Sequence, residues 1–272
     1  MTATRIEAKT KLSLLDWRGI REYRDLIYYL ALRDIQVRYK QTILGVLWVI
    51  LQPLVPAIVY AILFGVFAKL PSDGQPYLLM VLCGLLPWNI LNNTLARVGS
   101  SVVANGNLIS KVYFPRLIVP ISSLGSVIVD ALVAVGVLVV ILPFYHIPIG
   151  PQILAAPLFL FLALAIGLGV SLIVASLNVY YRDVNYMVPF AVQLWYYATP
   201  VVYSSELIPE KWRFLFGLNP AAGFIEGFRW AVIGGTNFTT EMLLVTTGSS
   251  IALLLLGLYT FRKAERGFAD II

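Results

Sequence analysis

Charged side chains are scarce in this sequence: they make up 12% of its 272 residues, whereas 59% are hydrophobic. A soluble domain carries about 25% charged residues. The charge is therefore too sparse to cover a globular surface, and the apolar residues fall in long blocks for which lipid is the natural solvent. The composition predicts an integral membrane protein.

Cysteine and histidine are almost absent. The single cysteine, Cys83, excludes an intrachain disulfide, and its apolar neighbours predict a small buried side chain. The single histidine, His146, lies in a proline-flanked turn, and no zinc-type spacing exists. No His-Asp pair is present, and no two carboxylates lie close together in an apolar setting. We therefore expect no metal site, no catalytic residues and no enzymatic activity in this chain.

An ATP-binding loop of the phosphate-cradling type is also missing. That loop needs a Gly-Lys pair followed by Ser or Thr, and no lysine here follows a glycine. Ion-coupled transporters usually place several ionisable groups in the membrane, whereas Asp130 is the one carboxylate deep inside an apolar block. A transporter built on this chain would therefore take its energy from another subunit.

Six apolar blocks are long enough, or nearly so, to cross a bilayer, which takes about 20 helical residues. They are Leu44–Ala68, Tyr77–Ala96, Leu117–Phe144, Gln152–Leu177, Tyr186–Tyr203 and Leu243–Phe261. The predicted fold is an all-α integral membrane protein. It has a cytoplasmic tail and helix over residues 1–43 and a single six-helix domain over residues 44–272.

A further apolar segment, Trp212–Gly235, lies between the fifth and sixth blocks. It carries three charges and is interrupted by Asn219-Pro220. Each charge at the middle of a membrane would cost about 2.5–3.5 kcal/mol, so we expect short re-entrant helices that dip into the outer leaflet. Glu226 and Arg229 have the i, i+3 spacing of an ion pair on one helix face, for which we favour a structural role.

The basic residues fall mainly on one side of the predicted spans. Of the 20 Lys and Arg, sixteen lie in segments on the side of the N-terminus and four on the other. This bias places both termini in the cytoplasm. It also argues against a basic patch for nucleic acid.

Residues 19–40 have the pattern of an amphipathic helix on the cytoplasmic face of the membrane. Apolar residues recur at helical spacing and charged residues fall elsewhere: Ile20, Tyr23, Ile27, Leu30 and Val37 against Arg21, Arg24, Asp25 and Arg38. Such a helix would lie among the lipid headgroups. The alternative is an ordinary flanking segment that obeys the charge rule.

Asp130, in the middle of the third block, has two interpretations. It could line or gate a conduit. Alternatively, it is a carboxyl group buried between helices, hydrogen-bonded to Ser or Thr, with no basic residue or histidine nearby.

An ordered set of motifs resembles the ABC type-2 exporter permeases for polysaccharides, which move O-antigen, capsule or teichoic-acid chains. The set comprises Arg38–Trp48 with Gln52-Pro53, Gly84–Trp88, Lys111–Arg116, Asn178–Val184, Thr199–Tyr203 and Asn219-Pro220. The resemblance runs from about residue 20 to the C-terminus in the family's order.

The resemblance implies a homodimer in the cytoplasmic (inner) membrane, with two copies of a separate ATPase that binds ATP and Mg²⁺. This chain itself would hold no cofactor, and the substrate would be a lipid-linked polysaccharide. The candidate positions facing the ATPase are Asn105, Gly106, Asn107, Lys111, Arg182 and Asp183. The alternatives are a solvated loop around Asn105–Lys111 and a helix-capping role for Arg182-Asp183.

Aromatic rings could stack on the apolar C–H faces of a passing glycan. Tyr186, Phe190 and Tyr197 share one face of the fifth span, and Trp48 and Tyr60 lie in the first. The alternative is the usual clustering of Trp and Tyr at membrane interfaces.

Two other functions stay open: a permease for a small hydrophobic compound or drug, and a membrane enzyme of envelope assembly.

Overall fold

A computed structural model describes residues 17–40, 46–72, 74–148, 150–235 and 237–268 of the chain. The beginning of the predicted tail, residues 1–16, lies outside the described residues. So do residues 41–45, which include the predicted start of the first span at Leu44 and part of the motif before Trp48.

The described residues form helices and connecting turns, without a β-strand. The α-helices are α1 (Trp17–Glu22), α2 (Arg24–Lys40), α3 (Val46–Tyr60), α4 (Tyr77–Ala104), α5 (Gly106–Lys111), α6 (Ile118–Ile141), α7 (Ala156–Tyr180), α8 (Val184–Tyr197), α9 (Glu210–Gly217), α10 (Pro220–Ile233) and α11 (Thr240–Ala264). A π-helix, Ala61–Phe67, continues α3, and short 3₁₀ turns follow α6, precede α7 and follow α11.

Five helical stretches of the described chain are long and apolar enough to cross a membrane. They are Ile50–Phe67, Tyr77–Ala104, Ile118–Tyr145, Pro151–Tyr180 and Thr240–Gly267. The prediction of an all-α membrane protein is confirmed, and five of the six predicted blocks correspond to these stretches.

The helix that contains the second predicted span is longer than that span. Its helix, α4, continues past Ala96 to Ala104. Arg97, which we expected in a cytoplasmic segment, therefore lies within the helix, and its partially buried side chain faces α6. Arginine is a good helix former, so its charge does not end the helix.

The bundle is centred on α4, which packs against α6, α7 and α10, while α7 also packs along α11. Where α7 and α11 cross, Gly169 and Gly257 face each other. A Cβ atom on either glycine would collide with the backbone of the opposite helix. The two backbones approach this closely because both residues lack side chains.

The fifth predicted span, Tyr186–Tyr203, is not among the five stretches. The structure has the 14-residue α8 followed by turns through Thr199-Pro200. At 1.5 Å per residue α8 is about 21 Å long, shorter than the ~30 Å hydrocarbon layer. The segment after it folds as the two short helices α9 and α10, which are separated at Asn219-Pro220.

The N-terminal segment forms α1 and α2, and α2 packs against α6. Leu30 is buried, and Ile20, Tyr23 and Ile27 pack partly buried in the same apolar cluster. The predicted apolar face is thus turned largely toward protein. Val37, expected on that face, is 68% exposed, and the interfacial position of the helix stays a prediction.

Candidate functional site

Asn105 joins the end of α4 to α5. Its Nδ2 donates a hydrogen bond to the Ser101 carbonyl oxygen (2.9 Å), which closes the last turn of α4. Its Oδ1 accepts a hydrogen bond from Arg33 Nη2 of α2 (2.8 Å). One amide therefore connects the N-terminal helix to the beginning of the six-residue helix α5.

An open cleft of about 270 Å³ lies beside this junction. Its lining includes Gly106, Asn107 and Arg182, three of the six residues that the resemblance assigned to ATPase contact. Lys111 and Asp183 are exposed nearby in the chain but do not line the cleft. The structure thus brings the two separate motifs, one after α4 and one after α7, to the same end of the bundle.

Asn178, near the end of α7, connects these motifs. Its Nδ2 donates to the Gly99 carbonyl oxygen of α4 (3.3 Å) and to Asn185 Oδ1 of α8 (2.7 Å). The first residues of α8 are thereby held next to the last part of α4. Asn178 lay within a motif of the resemblance, but its connecting role was not predicted.

The end of the described chain packs against the same region. Phe268 is fully buried in a cluster with Phe114, Leu117 and Phe261. The Arg116 guanidinium lies 6.0 Å from the centre of the Phe268 ring, at cation–π distance. The short segment between α5 and α6 therefore packs against the residues that follow α11.

Asp130 is buried in α6 and forms ion pairs with two arginines. Its Oδ2 lies 3.0 Å from Arg38 Nη1 of α2 and also pairs with Arg97 Nη2 of α4. The expectation that no basic group lies near Asp130 was wrong. Arg97 had been placed outside the membrane, and Arg38 lies 92 positions earlier in the chain, so sequence spacing gave no signal of either contact.

Glu226 and Arg229 form the predicted ion pair, at 3.0 Å, with both side chains at most 3% exposed. Arg229 also donates to three carbonyl oxygens: Nε to Met80 (3.1 Å), Nη2 to Val201 (2.8 Å) and Nη1 to Tyr203 (3.3 Å). This guanidinium therefore joins α10 to the start of α4 and to the turns after α8.

Gly84 makes that junction possible. A Cβ atom at this position would collide with the Val201 carbonyl oxygen and come within 2.8 Å of Arg229 Nη2. The glycine of the Gly84–Trp88 motif is thus required by close packing of α4 against two other segments.

The five aromatic residues proposed to line a conduit occupy two helices. Tyr186, Phe190 and Tyr197 are all more than 60% exposed and share a face of α8, which has Val192 as its one buried residue. Tyr60 is half-buried and stacks on Phe64 at 5.9 Å, while Trp48 is exposed. Among the described residues neither Trp48 nor Tyr186 pairs with another ring.

A cluster of rings joins α8 to α4. Trp88 makes edge contacts with Trp195 (6.0 Å) and Tyr196 (5.4 Å), and Tyr196 in turn contacts Tyr197 (5.7 Å). Trp195 Nε1 donates to Asn219 Oδ1 (2.9 Å). Of the proposed conduit residues, Tyr197 is thus continuous with the aromatic core.

No group of three His, Cys, Asp or Glu side chains that could hold a metal occurs within the part of the chain that the structure describes. Cys83 is a free, buried thiol, as its apolar neighbours predicted.

Comparison with known proteins gives a consistent result. Residues 25–233 match the model of the ABC-2 type transporter family. The O-antigen export system permease protein RfbA of Klebsiella pneumoniae is 32% identical over 250 residues, covering 91% of this chain and 95% of that protein. RfbA of Myxococcus xanthus is 26% identical over 263 residues, which cover 94% and 98% of the two chains.

A more distant relative is the polysialic acid transport protein KpsM of Escherichia coli. It is 23% identical over 245 residues, covering 87% of this chain and 92% of KpsM. The family match spans well over half of the sequence and includes α2 to α10, the helices that carry the cleft, the ion pairs and the aromatic face. This multi-pass membrane protein belongs to the ABC-2 type transporter family.

Proposed function

We propose that this chain is the membrane-spanning subunit of an exporter that moves a lipid-linked polysaccharide across the inner membrane. The observation that carries the proposal is the match to O-antigen export permeases over more than nine-tenths of both chains. KpsM, a transporter of an acidic glycan by its name, supports the same substrate class. The small-compound and envelope-enzyme alternatives gain nothing from these relatives.

A separate ATPase drives the export in this proposal, and that subunit binds ATP and Mg²⁺. The sequence has no Gly-Lys loop for phosphate, so the chain needs a partner with such a site. The cleft lined by Gly106, Asn107 and Arg182 is the proposed docking place. Asn105 and the exposed Lys111 and Asp183 border this cleft. In this proposal the hydrogen bond between Arg33 and Asn105 couples a movement of α5 to α2.

The segment from α8 to Tyr203 makes a sixth crossing in this proposal. At one end, Asn178 joins Asn185 to Gly99 of α4. At the other end, Arg229 joins Val201 to Met80 of α4. Gly99 and Met80 are 19 residues apart, or about 28 Å along the helix. The chain therefore traverses nearly the whole bilayer core between these contacts, although α8 alone is shorter.

With six crossings, the positive-inside bias places both termini in the cytoplasm. The helices α9 and α10 are then re-entrant on the outer side. The Thr246 hydroxyl of α11 donates to the Pro220 carbonyl oxygen at the start of α10 (3.2 Å). Thr246 lies six residues inside α11, so α10 begins about 9 Å below the beginning of that helix.

Two copies of the chain form the conduit in this proposal. On the apolar face of α8, Tyr186, Phe190 and Tyr197 are each more than 60% exposed. The exposed residues of α3, including Trp48, add to the uncovered surface. A second copy covers part of these faces. Aromatic rings near the interface between the copies, Tyr60 among them, offer stacking surfaces to sugar rings.

The orientation can be tested by thiol labelling in a Cys83→Ala background. We expect Tyr113→Cys to react only with a reagent on the cytoplasmic side and Glu210→Cys only with one on the outer side. Both side chains are more than 80% exposed, so access is not limiting. Labelling of both positions from the same side would show that α8 does not cross the membrane.

The docking assignment predicts uncoupling by charge reversal. Lys111→Glu and Arg182→Glu together should reduce export about tenfold or more, because reversed charges at a docking surface oppose complex formation. The amount of inserted protein should stay unchanged, since both side chains are exposed. Export is measured as glycan at the cell surface, with Arg213→Glu, an exposed residue after α8, as the matched control. Wild-type export by the double variant would refute the assignment.

A further inference from the structure

The buried helix α4 has one open stripe, and that stripe is polar. In the apolar stretch of α4 that could cross a membrane, 78% of the residues are buried in the bundle. Asn92 is exposed on the remaining face, and Asn89 and Asn93 are half-buried, both on the same side of it around the helix. The three amides lie within about 100° of one another on a helix of 3.6 residues per turn.

These three amides have no side-chain hydrogen bond to any other residue that the structure describes. Other polar groups of α4 are satisfied within the helix: Thr94 Oγ1 donates to the Ile90 carbonyl oxygen (2.6 Å), and Ser101 Oγ to that of Val98 (2.7 Å). An amide left without a partner in hydrocarbon is costly. Water or a hydroxylated ligand along this side of α4 would satisfy the stripe.

A small cleft of about 20 Å³, with room for about one water molecule, lies next to the stripe, between α3, α4 and α6. Gln52, Asn89, Asn93 and Asp130 contribute its polar groups, and apolar side chains such as Val127 and Ala134 form the rest. Amides both donate and accept, so pairs of them match neighbouring sugar hydroxyls.

The opposite situation occurs on α6. Its exposed residues include Leu132, Val139 and Val140, which are 57–65% exposed and suit contact with lipid tails. Two neighbouring helices thus present surfaces of different chemistry, so exposure to the same lipid does not account for both.

We propose that the asparagine stripe of α4, Asn89, Asn92 and Asn93 together with Gln52, is a polar track that contacts the hydroxyl groups of the glycan during export. The proposal rests on the proposed function for its ligand. It places the path of the sugar along the open stripe of α4, and adds hydrogen-bonding residues to the aromatic rings of α3 and α8. Each amide makes a neutral hydrogen bond that exchanges easily. The glycan can therefore slide along the stripe without being held at a tight-binding site.

Water access tests the track independently of the substrate. In the Cys83→Ala background, Asn92→Cys should react with a charged methanethiosulfonate reagent at least about tenfold faster than Leu132→Cys, because only the thiolate reacts and lipid suppresses it. Equal, slow rates at the two positions would place the stripe in lipid. A spontaneous disulfide between two copies at Asn92→Cys, without reagent labelling, would place it in a protein interface. Either result would overturn the inference.

Export tests the contact with glycan. The Asn89→Leu/Asn93→Leu variant should export about tenfold less glycan than wild type, since two hydrogen bonds are lost, while Asn89→Gln/Asn93→Gln should keep most of the export. The amount of protein and the basal ATPase rate of the complex should be unchanged in both. If wild type exports glycan and the leucine variant exports it equally well, the polar track is contradicted but the proposed function is not. An inactive wild type in the same assay would instead contradict the proposed function.

Discussion

Replacing Arg229 by methionine is expected to prevent accumulation of folded protein. The substitution removes the guanidinium that pairs with the buried Glu226 carboxylate and that donates to the carbonyl oxygens of Met80, Val201 and Tyr203. Breaking a buried ion pair by removing one partner costs about 3–5 kcal/mol. The unmet carbonyl oxygens add to this, because they lie where water does not reach. The readout is the yield of monodisperse protein in detergent after mild heating.

The chain provides a matched control for that substitution. Arg213 and Glu210 have the same i, i+3 spacing, but their atoms are 4.0 Å apart and both side chains are more than half exposed. Arg213→Met should change the yield little, since an exposed pair contributes about 0–1 kcal/mol. If both methionine variants accumulated equally, the Arg229 contacts would not hold α10 to α4.

Asp130→Leu should be strongly destabilising, because it removes the carboxylate that pairs with Arg38 and Arg97. Removing one partner of a buried ion pair costs about 3–5 kcal/mol, because the remaining charge is left uncompensated. We expect a sharp decrease in the inserted, folded fraction, measured by resistance to proteolysis in membranes.

A second substitution distinguishes charge imbalance from loss of shape. The Asp130→Leu/Arg97→Leu variant should recover much of the folded fraction, because one of the two uncompensated charges is gone and Arg38, near the end of α2, can reach the interface. Arg97→Leu alone should be mild, since the Arg38–Asp130 pair is kept. A double variant no better than Asp130→Leu would contradict the proposed role of the ion cluster.

Much of the membrane architecture follows from the sequence because lipid imposes a simple length rule. Five of the apolar blocks match helical stretches, and the division of α9 from α10 falls at Asn219-Pro220, where proline favours the first turn of a helix. The end of the helix α4 was not predicted, because hydropathy gives the apolar span up to Ala96 and a helix can continue past it. The length of α8 was overestimated because hydropathy does not indicate where a helix gives way to turns.

Contacts within the candidate sites could be predicted only where the two residues lie close together in the sequence. The Glu226–Arg229 pair follows from i, i+3 spacing on one helix. The contact of Asp130 with Arg38, the connection of Asn178 to Gly99 and Asn185, and the fit of Gly84 against Val201 join segments far apart in the chain. Without coordinates or aligned relatives, nothing in a single sequence specifies such contacts.

The asparagines of α4 gave a signal that could have been found in the sequence. Asn89, Asn92 and Asn93 stand in an otherwise apolar helix at spacings that put them on one face. Polar residues inside membrane spans usually face the bundle or a water-filled cavity. Their exposure at the surface of the single chain was the observation that sequence reasoning lacked.

Reconstitution with the partner ATPase tests the export account most directly. The chain, purified together with the ATPase that associates with it, is placed in liposomes, and ATP hydrolysis is measured with and without a lipid-linked glycan. We predict that hydrolysis requires the partner, is stimulated by the glycan, and is accompanied by transfer of the glycan to the opposite leaflet. Nucleotide hydrolysis by this chain alone, or glycan transfer that proceeds equally without ATP, would contradict a conduit driven by a separate subunit.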